Sequence, residues 1–299
     1  MAGAQPAAVA SRSMSQEASQ ACQACQALLT TSANNWEAAS GAVGGPLVVG
    51  LLTPQRNAMT LAAKNTHSTY LGLYRLVFAQ GPFQGFRGGS RPMIAAIPQF
   101  TAIGPVYLLA ERQLSMPAIS MLMASIVESL CTFSAQRRNA QIQFNASRTC
   151  ASEHIAYQPW YRLAGPGFMP HVLRNMFAMM GIRLFSPYSF EVVNHLPGAS
   201  HISRTSRLVQ ADLFSSICAA TLSMPFNHVF SWSACTPELE KLSYSQRGKA
   251  SLSWLLNTYK EQGASLLARD LCIRISYTGL LFTGYRMVER YMQGDEGDS

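Results

Sequence analysis

The stretch Leu213-Phe-Ser-Ser-Ile-Cys-Ala-Ala-Thr-Leu-Ser-Met-Pro-Phe-Asn-His-Val-Phe-Ser-Trp-Ser-Ala-Cys-Thr-Pro237 contains no Asp, Glu, Lys or Arg. It is long enough for a helix to cross the hydrocarbon of a bilayer, which takes roughly 20 residues. Three more blocks, Pro92 to Ala110, Ala38 to Gln55 and Gln113 to Val127, are equally free of charge. Charged residues make up 13% of the 299-residue chain, against about a quarter of an ordinary soluble domain. The deficit is therefore gathered into blocks rather than spread. Their Ser, Thr, Gly and Pro content makes them poor lipid-facing rods but good members of a packed bundle. Taken alone, the residues leave a second reading open, a soluble all-helical protein with buried helices.

The formal charge is +8, from 23 Lys and Arg against 15 Asp and Glu. No basic run is interleaved with aromatics as a nucleic-acid surface would be, so nucleic acid is not an expected partner. The basic residues lie between the apolar blocks, as Arg137 and Arg138, Arg204 and Arg207, Lys241 and Arg247. That placement suits loops facing anionic headgroups. Of seven cysteines, only Cys22 and Cys25 are spaced as C-x-x-C, and no second pair completes a zinc site. An odd count inside apolar blocks argues against a disulfide framework. Residues 1–34 form an Ala/Gln/Ser-rich tail with Arg12 and without the apolar core of a secretory signal. Whether it is a mitochondrial presequence stays open, and residues 294–299 form an acidic tail that would be expected to fray unless neighbours hold it.

Between the tails one plan recurs three times, over 35–115, 116–200 and 201–293: a long apolar helix, a polar linker with a short amphipathic helix, and a second apolar helix. The first repeat opens from about Asn35 to Ala62 and meets Pro54. Its linker carries an apolar run from Tyr70 to Phe78 at helical spacing, then the turn Gln80-Gly81-Pro82, and its closing helix runs from about Gly88 to Arg112. The second opens from Pro117 to Phe144, continues through a polar linker to Gly167 and closes by Val193. The third opens near Leu208, meets Pro225, links through Ser251 to Gln262 and closes from Ala264 to Tyr291. Prolines deep in apolar helices, Pro54 and Pro225, predict kinks that free carbonyls for the bundle to satisfy. Gly41 and Gly45 either form a face for close helix approach or are a chance cluster. No Gly-rich phosphate loop, paired-carboxylate motif or His/Cys cluster is present, so no catalytic set, metal site or cofactor is expected.

The stretch Gln80-Gly-Pro-Phe-Gln-Gly-Phe86-Arg87-Gly88 resembles the second half of the mitochondrial carrier signature. The sequel Pro98-Gln-Phe-Thr-Ala-Ile-Gly-Pro-Val-Tyr107 is similar to the even-numbered helices of that family. Glu261-Gln-Gly263, Ala268-Arg269-Asp270 and Thr278 to Tyr285 echo the pattern in the third repeat. Ser134 to Gln143 and Gly181 to Tyr188 do so in the second. The resemblance covers about residues 35 to 292, with repeats two and three roughly one helical turn out of step with the first. It implies six tilted transmembrane helices in three two-helix repeats around a central cavity, multi-pass residence in the mitochondrial inner membrane, and bound cardiolipin. Arg87, Gly88 and Arg269 are then the expected lipid-phosphate ligands, because a helix beginning at Gly88 turns its free N–H groups toward an anion. The plainer reading of Arg87 is a solvated loop charge.

The chain departs from the family at both gates. Carriers close one mouth with Pro-x-acid-x-x-base on each odd helix; here the acid positions hold Arg56, Gln136 and Asn227 and the base positions Met59, Asn139 and Phe230, with Ser134 in place of a proline. At the other mouth Tyr107, Tyr188 and Tyr285 are followed by Leu108 and Glu111, by Glu191 and Asn194, and by Arg286 and Glu289, so the ion-pair pattern is lost there too. Alternating access needs two closed states of similar energy, each held by contacts absent from the other. The expectation is a carrier-like protein that no longer transports and serves as an accessory or structural subunit of a respiratory complex, supercomplex or ATP synthase. The alternative is a transporter of a small anionic metabolite. For it, Arg183 and Arg274 are the candidate cavity anion site, against an internal pair with Glu128 or snorkelling to the interface. Ala95 stands where an adenine-nucleotide carrier would place an arginine, which disfavours that cargo, and His228 reads as a packed polar residue rather than a proton carrier.

Overall fold

The structure, a computed structural model, describes residues 36–65, 67–148, 150–159, 162–198 and 201–293. The two tails, with Cys22 and Cys25, lie outside the described residues, as do the side chains of Arg286 and Glu289. All regular structure among the described residues is helical.

Helix α1 (Trp36–Leu51) and α2 (Thr53–Ala62) are one rod broken at Leu52. Pro54 sits in the first turn of α2, where its missing N–H costs nothing because that turn has no partner for it. Thr53 Oγ1 donates back to the Val49 carbonyl at 3.2 Å and so covers the break. The short α3 (Tyr70–Val77) is capped by Thr69, whose hydroxyl accepts from the Gly72 amide at 3.1 Å. A 3-10 turn (Pro82–Phe86) leads into α4 (Ser90–Leu114), which ends where Ser115 turns left-handed at φ 49°. Helix α5 (Pro117–Ala146) follows directly. After a long loop come α6 (Phe168–Met180), one π-helical turn (Gly181–Phe185) and α7 (Ser186–Asn194), which form one rod. Helix α8 (Arg204–Ala234) carries Pro225 inside an unbroken span. Helix α9 (Tyr244–Gln293) is two helices joined at Gly263, whose φ of 66° and ψ of −166° only glycine adopts without strain.

The long rods form a closed ring. The α1–α2 rod packs on α4, α4 on α5, α5 on α6, the α6–α7 rod on α8, α8 on α9, and α9 returns to α1 and α2. Close approach falls on Gly44 at the closing seam with α9, where a Cβ would stand 2.6 Å from Val288, and on Gly45 against α4, where it would run into the Phe100 ring. Of the two expected glycines, Gly45 makes such an approach, and Gly44 beside it makes another. The linker of the second repeat departs from the plan. Between α5 and α6 only the 3-10 turn Ala151–Glu153 is regular among the described residues. Pro159 and Pro166 interrupt any helix there, because the residue before a proline is driven out of the α region.

The sides of the rods are polarised outward. On α5, Ile119, Met123, Ile126 and Leu130 recur at helical spacing and are exposed, while Ser125, Glu128, Ser129, Thr132 and Asn139 are buried. On α8, Leu213, Phe214, Ile217 and Leu222 face out and Asp212, Ser215, Ser216, Ser223, Asn227 and His228 face in. Leu51 and Ile94 keep 65% and 68% of their surface. Two helical stretches, Pro82–Leu114 and Pro117–Ala146, are long and apolar enough to cross a membrane. Ala42–Leu51 of α1 is apolar but shorter.

Candidate functional site

Burial is densest where the odd rods end and the even rods begin. Eight of the ten residues of α2 are buried, against Val193 alone in α7 at the far end of its rod. At this packed mouth Gln136, Asn227 and Phe230 meet Arg174, Asn139 meets Asn57, and Met59 meets Arg274, through hydrogen bonds and side-chain contacts.

Arg174, on α6, is the hub. Its Nη2 donates to Gln136 Oε1 at 2.8 Å, its Nη1 to Asn227 Oδ1 at 3.2 Å and its Nε to Asn175 Oδ1 at 3.2 Å, so one guanidinium joins α5, α6 and α8. Its carbon lies 5.0 Å from the centre of the Phe230 ring. A cation over a desolvated aromatic face contributes up to about 2 kcal/mol. Asn175 passes the network on to Ser129 at 3.2 Å, and the His171 ring nitrogen meets Thr132 at 3.0 Å. His171 is also wedged against Phe230 and Phe133.

A second clasp joins the first and second repeats. Asn139 Nδ2 donates to Asn57 Oδ1 at 3.0 Å, and Asn57 Nδ2 donates to the Gly85 carbonyl at 2.8 Å and to that of Arg87. Gly88 makes this possible. Its φ is 74°, and a Cβ there would stand 2.5 Å from Asn139 Oδ1.

Each expected site residue has a definite place. Arg87 has an exposed side chain and offers its carbonyl to Asn57 and Gln143. Gly88 does not start α4: the helix begins at Ser90 with Gly89 before it, because Gly88 is left-handed and cannot continue a helix. Arg269 is buried and donates to Asp270 at 2.7 Å and to the carbonyls of Asn65, Ala62 and Ser68. It therefore caps the carbonyl end of α2, while also lining a groove of about 630 Å³ between Ser68, Thr69 and Tyr70 and the start of the second half of α9.

Arg183 and Arg274 have separate surroundings. Arg183 lies in the π-helical turn, exposed, 5.3 Å from the centre of the Tyr107 ring. Arg274 is buried, with Nε and Nη2 on Ser223 Oγ at 3.2 and 3.0 Å and Nη1 at 3.9 Å from the Met59 sulfur. Arg274 and Arg174 bond Ser223 and Asn227, one turn apart on α8. Glu128 pairs with neither expected arginine; its Oε1 accepts from Gln99 at 2.6 Å. His228 is packed as expected, its Nε2 3.0 Å from Asp270 and its Nδ1 3.2 Å from the Tyr259 hydroxyl.

No protein-family model matches the chain, and a search of curated proteins finds no relative. The assignment of the site rests on its geometry.

Two outer links brace the packed mouth. Glu240, on the 3-10 turn after α8, binds Arg137 at 2.6 Å and Arg162 at 2.9 Å. Burial pushes the Glu240 carboxyl up, but the two guanidiniums outweigh it and hold the group below its ordinary value. Lys64 donates to Thr236 at 3.0 Å and sits over the Phe144 and Trp232 rings, so it spans all three repeats. Burial lowers its pKa, countered in part by the Glu238 carboxylate.

At the opposite mouth Tyr285 stacks on Phe100 at 5.0 Å, Ser186 donates to Asp212 at 3.1 Å and Arg207 to Asn194 at 2.8 Å. Tyr188 is exposed. Among the described residues no group of three His, Cys, Asp or Glu is placed to hold a metal ion. Arg174, the centre of the network, was not singled out in the sequence, although a lone arginine in the apolar run from Phe168 to Met180 carries the same signal that marked Arg183.

Proposed function

We propose that the chain is a carrier-like protein of the mitochondrial inner membrane that crosses the bilayer six times, no longer transports, and serves as an accessory or structural subunit of a respiratory complex, supercomplex or ATP synthase. The observation that carries the reading is the packed mouth. Arg174, Gln136, Asn227, Asn57 and Asn139 close it with buried neutral acceptors and one guanidinium, whereas a transporter must exchange such contacts for an equally good set at the other end. Membrane residence is supported by the outward apolar stripes of α5 and α8 around an inward polar face, the reverse of a water-soluble bundle. The groove beside Arg269 and the Arg87 side chain near the start of α4 suit phospholipid phosphate, cardiolipin included.

Extraction in a mild detergent followed by native electrophoresis is expected to show comigration with a large inner-membrane assembly, and a free monomer counts against the subunit role. Carbonate washing is expected to leave the chain in the membrane pellet. The second reading, a transporter of a small anion, is favoured by one observation, the buried guanidiniums of Arg174 and Arg274. Saturable metabolite exchange in liposomes would establish it in place of the first.

A further inference from the structure

The linker between α5 and α6 is the one that departs from the repeat plan, and its path has a cause. Pro159 and Pro166 bar a helix, so the amides and carbonyls that a helix would pair internally need other partners. The end of α5 supplies them. Asn145 grips Ile155 from both sides, its Nδ2 donating to the Ile155 carbonyl at 3.0 Å and its Oδ1 accepting from the Ile155 amide at 2.9 Å. One turn back, Gln141 Oε1 accepts from the Gln158 amide at 3.1 Å. The Arg138 guanidinium lies over the Tyr157 ring, 3.8 Å from its centre. Arg138, Gln141 and Asn145 recur at the three- and four-residue spacing of one helix face. The linker is thereby laid along α5 as an extended strap.

The strap is fixed to α8 as well. Gln141 Nε2 donates to the Ala234 carbonyl at 3.2 Å, so the amide that holds Gln158 also holds the last turn of α8. Ile155 packs against Ala140 and Phe144 of α5 and against Ala234 and Cys235 at the end of α8. Arg162 reaches Gln158 Oε1 at 3.1 Å and one oxygen of Glu240 at 2.9 Å, while the other oxygen of Glu240 takes Arg137 of α5 at 2.6 Å. Where the strap enters α6, Gly167 has a φ of 88° and passes so close to α8 that a Cβ would stand 3.2 Å from the Cβ of Ser233. None of these contacts involves Arg174 or its partners Gln136, Asn175 and Asn227. Opening the mouth between α5 and α8 breaks the Gln141–Ala234 and Arg137–Glu240 bonds, splits the cluster around Ile155, and leaves backbone groups of the strap unpaired.

We propose that the second linker is an external latch: clamped by Arg138, Gln141 and Asn145 on one side and by Glu240 and the end of α8 on the other, it keeps the packed mouth shut from outside the ring. The latch supplies across α5 and α8 a restraint that the neutral residues Gln136 and Asn227 do not supply from within. The inference rests on the carrier-like reading of the ring, in which this mouth is one of two gates, and it does not depend on which complex, if any, the chain joins.

The test reads a buried thiol at the mouth. Ser231→Cys places one on α8, one turn from Asn227, at a side chain 2% exposed that takes part in none of the strap contacts above. The purified full chain in mild detergent is treated with a water-soluble maleimide, and modification of that thiol is followed by peptide mass. Releasing the strap at both ends with Asn145→Ala and Arg162→Ala is expected to speed modification about tenfold or more, because labelling of a buried thiol tracks the population of the open form. Arg162→Ala alone, at a side chain 44% exposed, keeps the test decisive if the double variant does not fold, and is expected to give a rise of about threefold. Gly263→Ala, which strains the backbone of α9 and touches no strap contact, is expected to leave the rate within about twofold of the parent. No acceleration in the strap variants overturns the proposal. An equal acceleration by Gly263→Ala overturns it too, since labelling would then measure general loosening. So does acceleration at Cys235 without acceleration at the Ser231→Cys thiol, which would make the strap a cover over one cysteine. Failure to comigrate with a large assembly removes the subunit role, and saturable metabolite exchange by the parent chain removes the non-transporting reading; the rate ratios still decide the latch in both cases.

Discussion

Glu240 shows how much one side chain carries at the packed mouth. It joins Arg137, from the end of α5, and Arg162, from the loop before α6, to the turn after α8. Glu240→Gln is expected to lower stability by about 2 kcal/mol, the scale of a charge-assisted hydrogen bond, measured as a loss in the unfolding midpoint. Its pH dependence has a definite sign. A carboxyl held below its ordinary value contributes fully above that value, 4.5, and loses its contribution as pH falls through the lower value of the folded protein. The parent chain should therefore lose stability below about pH 4.5, and Glu240→Gln should flatten that arm of the profile. This pairing was not visible in the sequence, because Arg137 and Glu240 are far apart along the chain. The absence of acids at Arg56, Gln136 and Asn227 was visible, since it needed only residue identities. What replaced them was not, because Arg174 acts through its reach across three helices.

At the scale of elements, the long helices were legible wherever charge-free sequence is bounded by polar residues. Pro117 begins α5 as expected, the first rod ends at Ala62 as expected though broken at Leu52, and α3 falls within a residue of its expected run. Two features were hidden. One is the π-helical turn Gly181–Phe185, which inserts an extra residue into the rod and carries Arg183. The other is the single break in α9, set by one glycine in a polar run. Two substitutions in that helix separate its backbone demands. Gly263→Ala should cost about 2 kcal/mol, purely from a dihedral pair closed to a Cβ, since nothing lies within 4 Å of the added atom. Gly248→Ala, at an exposed helical position with equally open space, should instead stabilise by about 0.7 kcal/mol. Unfolding midpoints of the two variants, moving in opposite directions, check the break.

At the scale of the molecule, the ring and its polarity answer the question the sequence left between a membrane bundle and a soluble one only by proposal, and cysteines already in the chain report on it. Cys150 is exposed in the loop after α5, Cys218 is exposed on the outer face of α8 beside Leu213, Phe214, Ile217 and Leu222, and Cys235 is buried. In membranes opened to both faces, a water-soluble maleimide is expected to modify Cys150 and spare Cys218 until detergent removes the lipid, and to spare Cys235 in both conditions. Modification of Cys218 before detergent is added would identify a water-facing bundle.

The inward polarity of the rods has a consequence for how such a chain is made. Among the described residues, only Pro82–Leu114 and Pro117–Ala146 are both long and apolar enough to cross a membrane. The α8 segment presents Asp212, Ser215, Asn227 and His228 on one side, and the second half of α9 presents Asp270 and Arg274; these groups find partners only across helix boundaries. A lone α8 or α9 would meet hydrocarbon with those groups unsatisfied. If the chain crosses the bilayer six times, as proposed above, biogenesis is then cooperative. The central hairpin enters first as an anchor, the flanking rods follow as pairs that hide one another's polar sides, and a nascent chain truncated after Ala234 should be expelled or degraded rather than left half inserted.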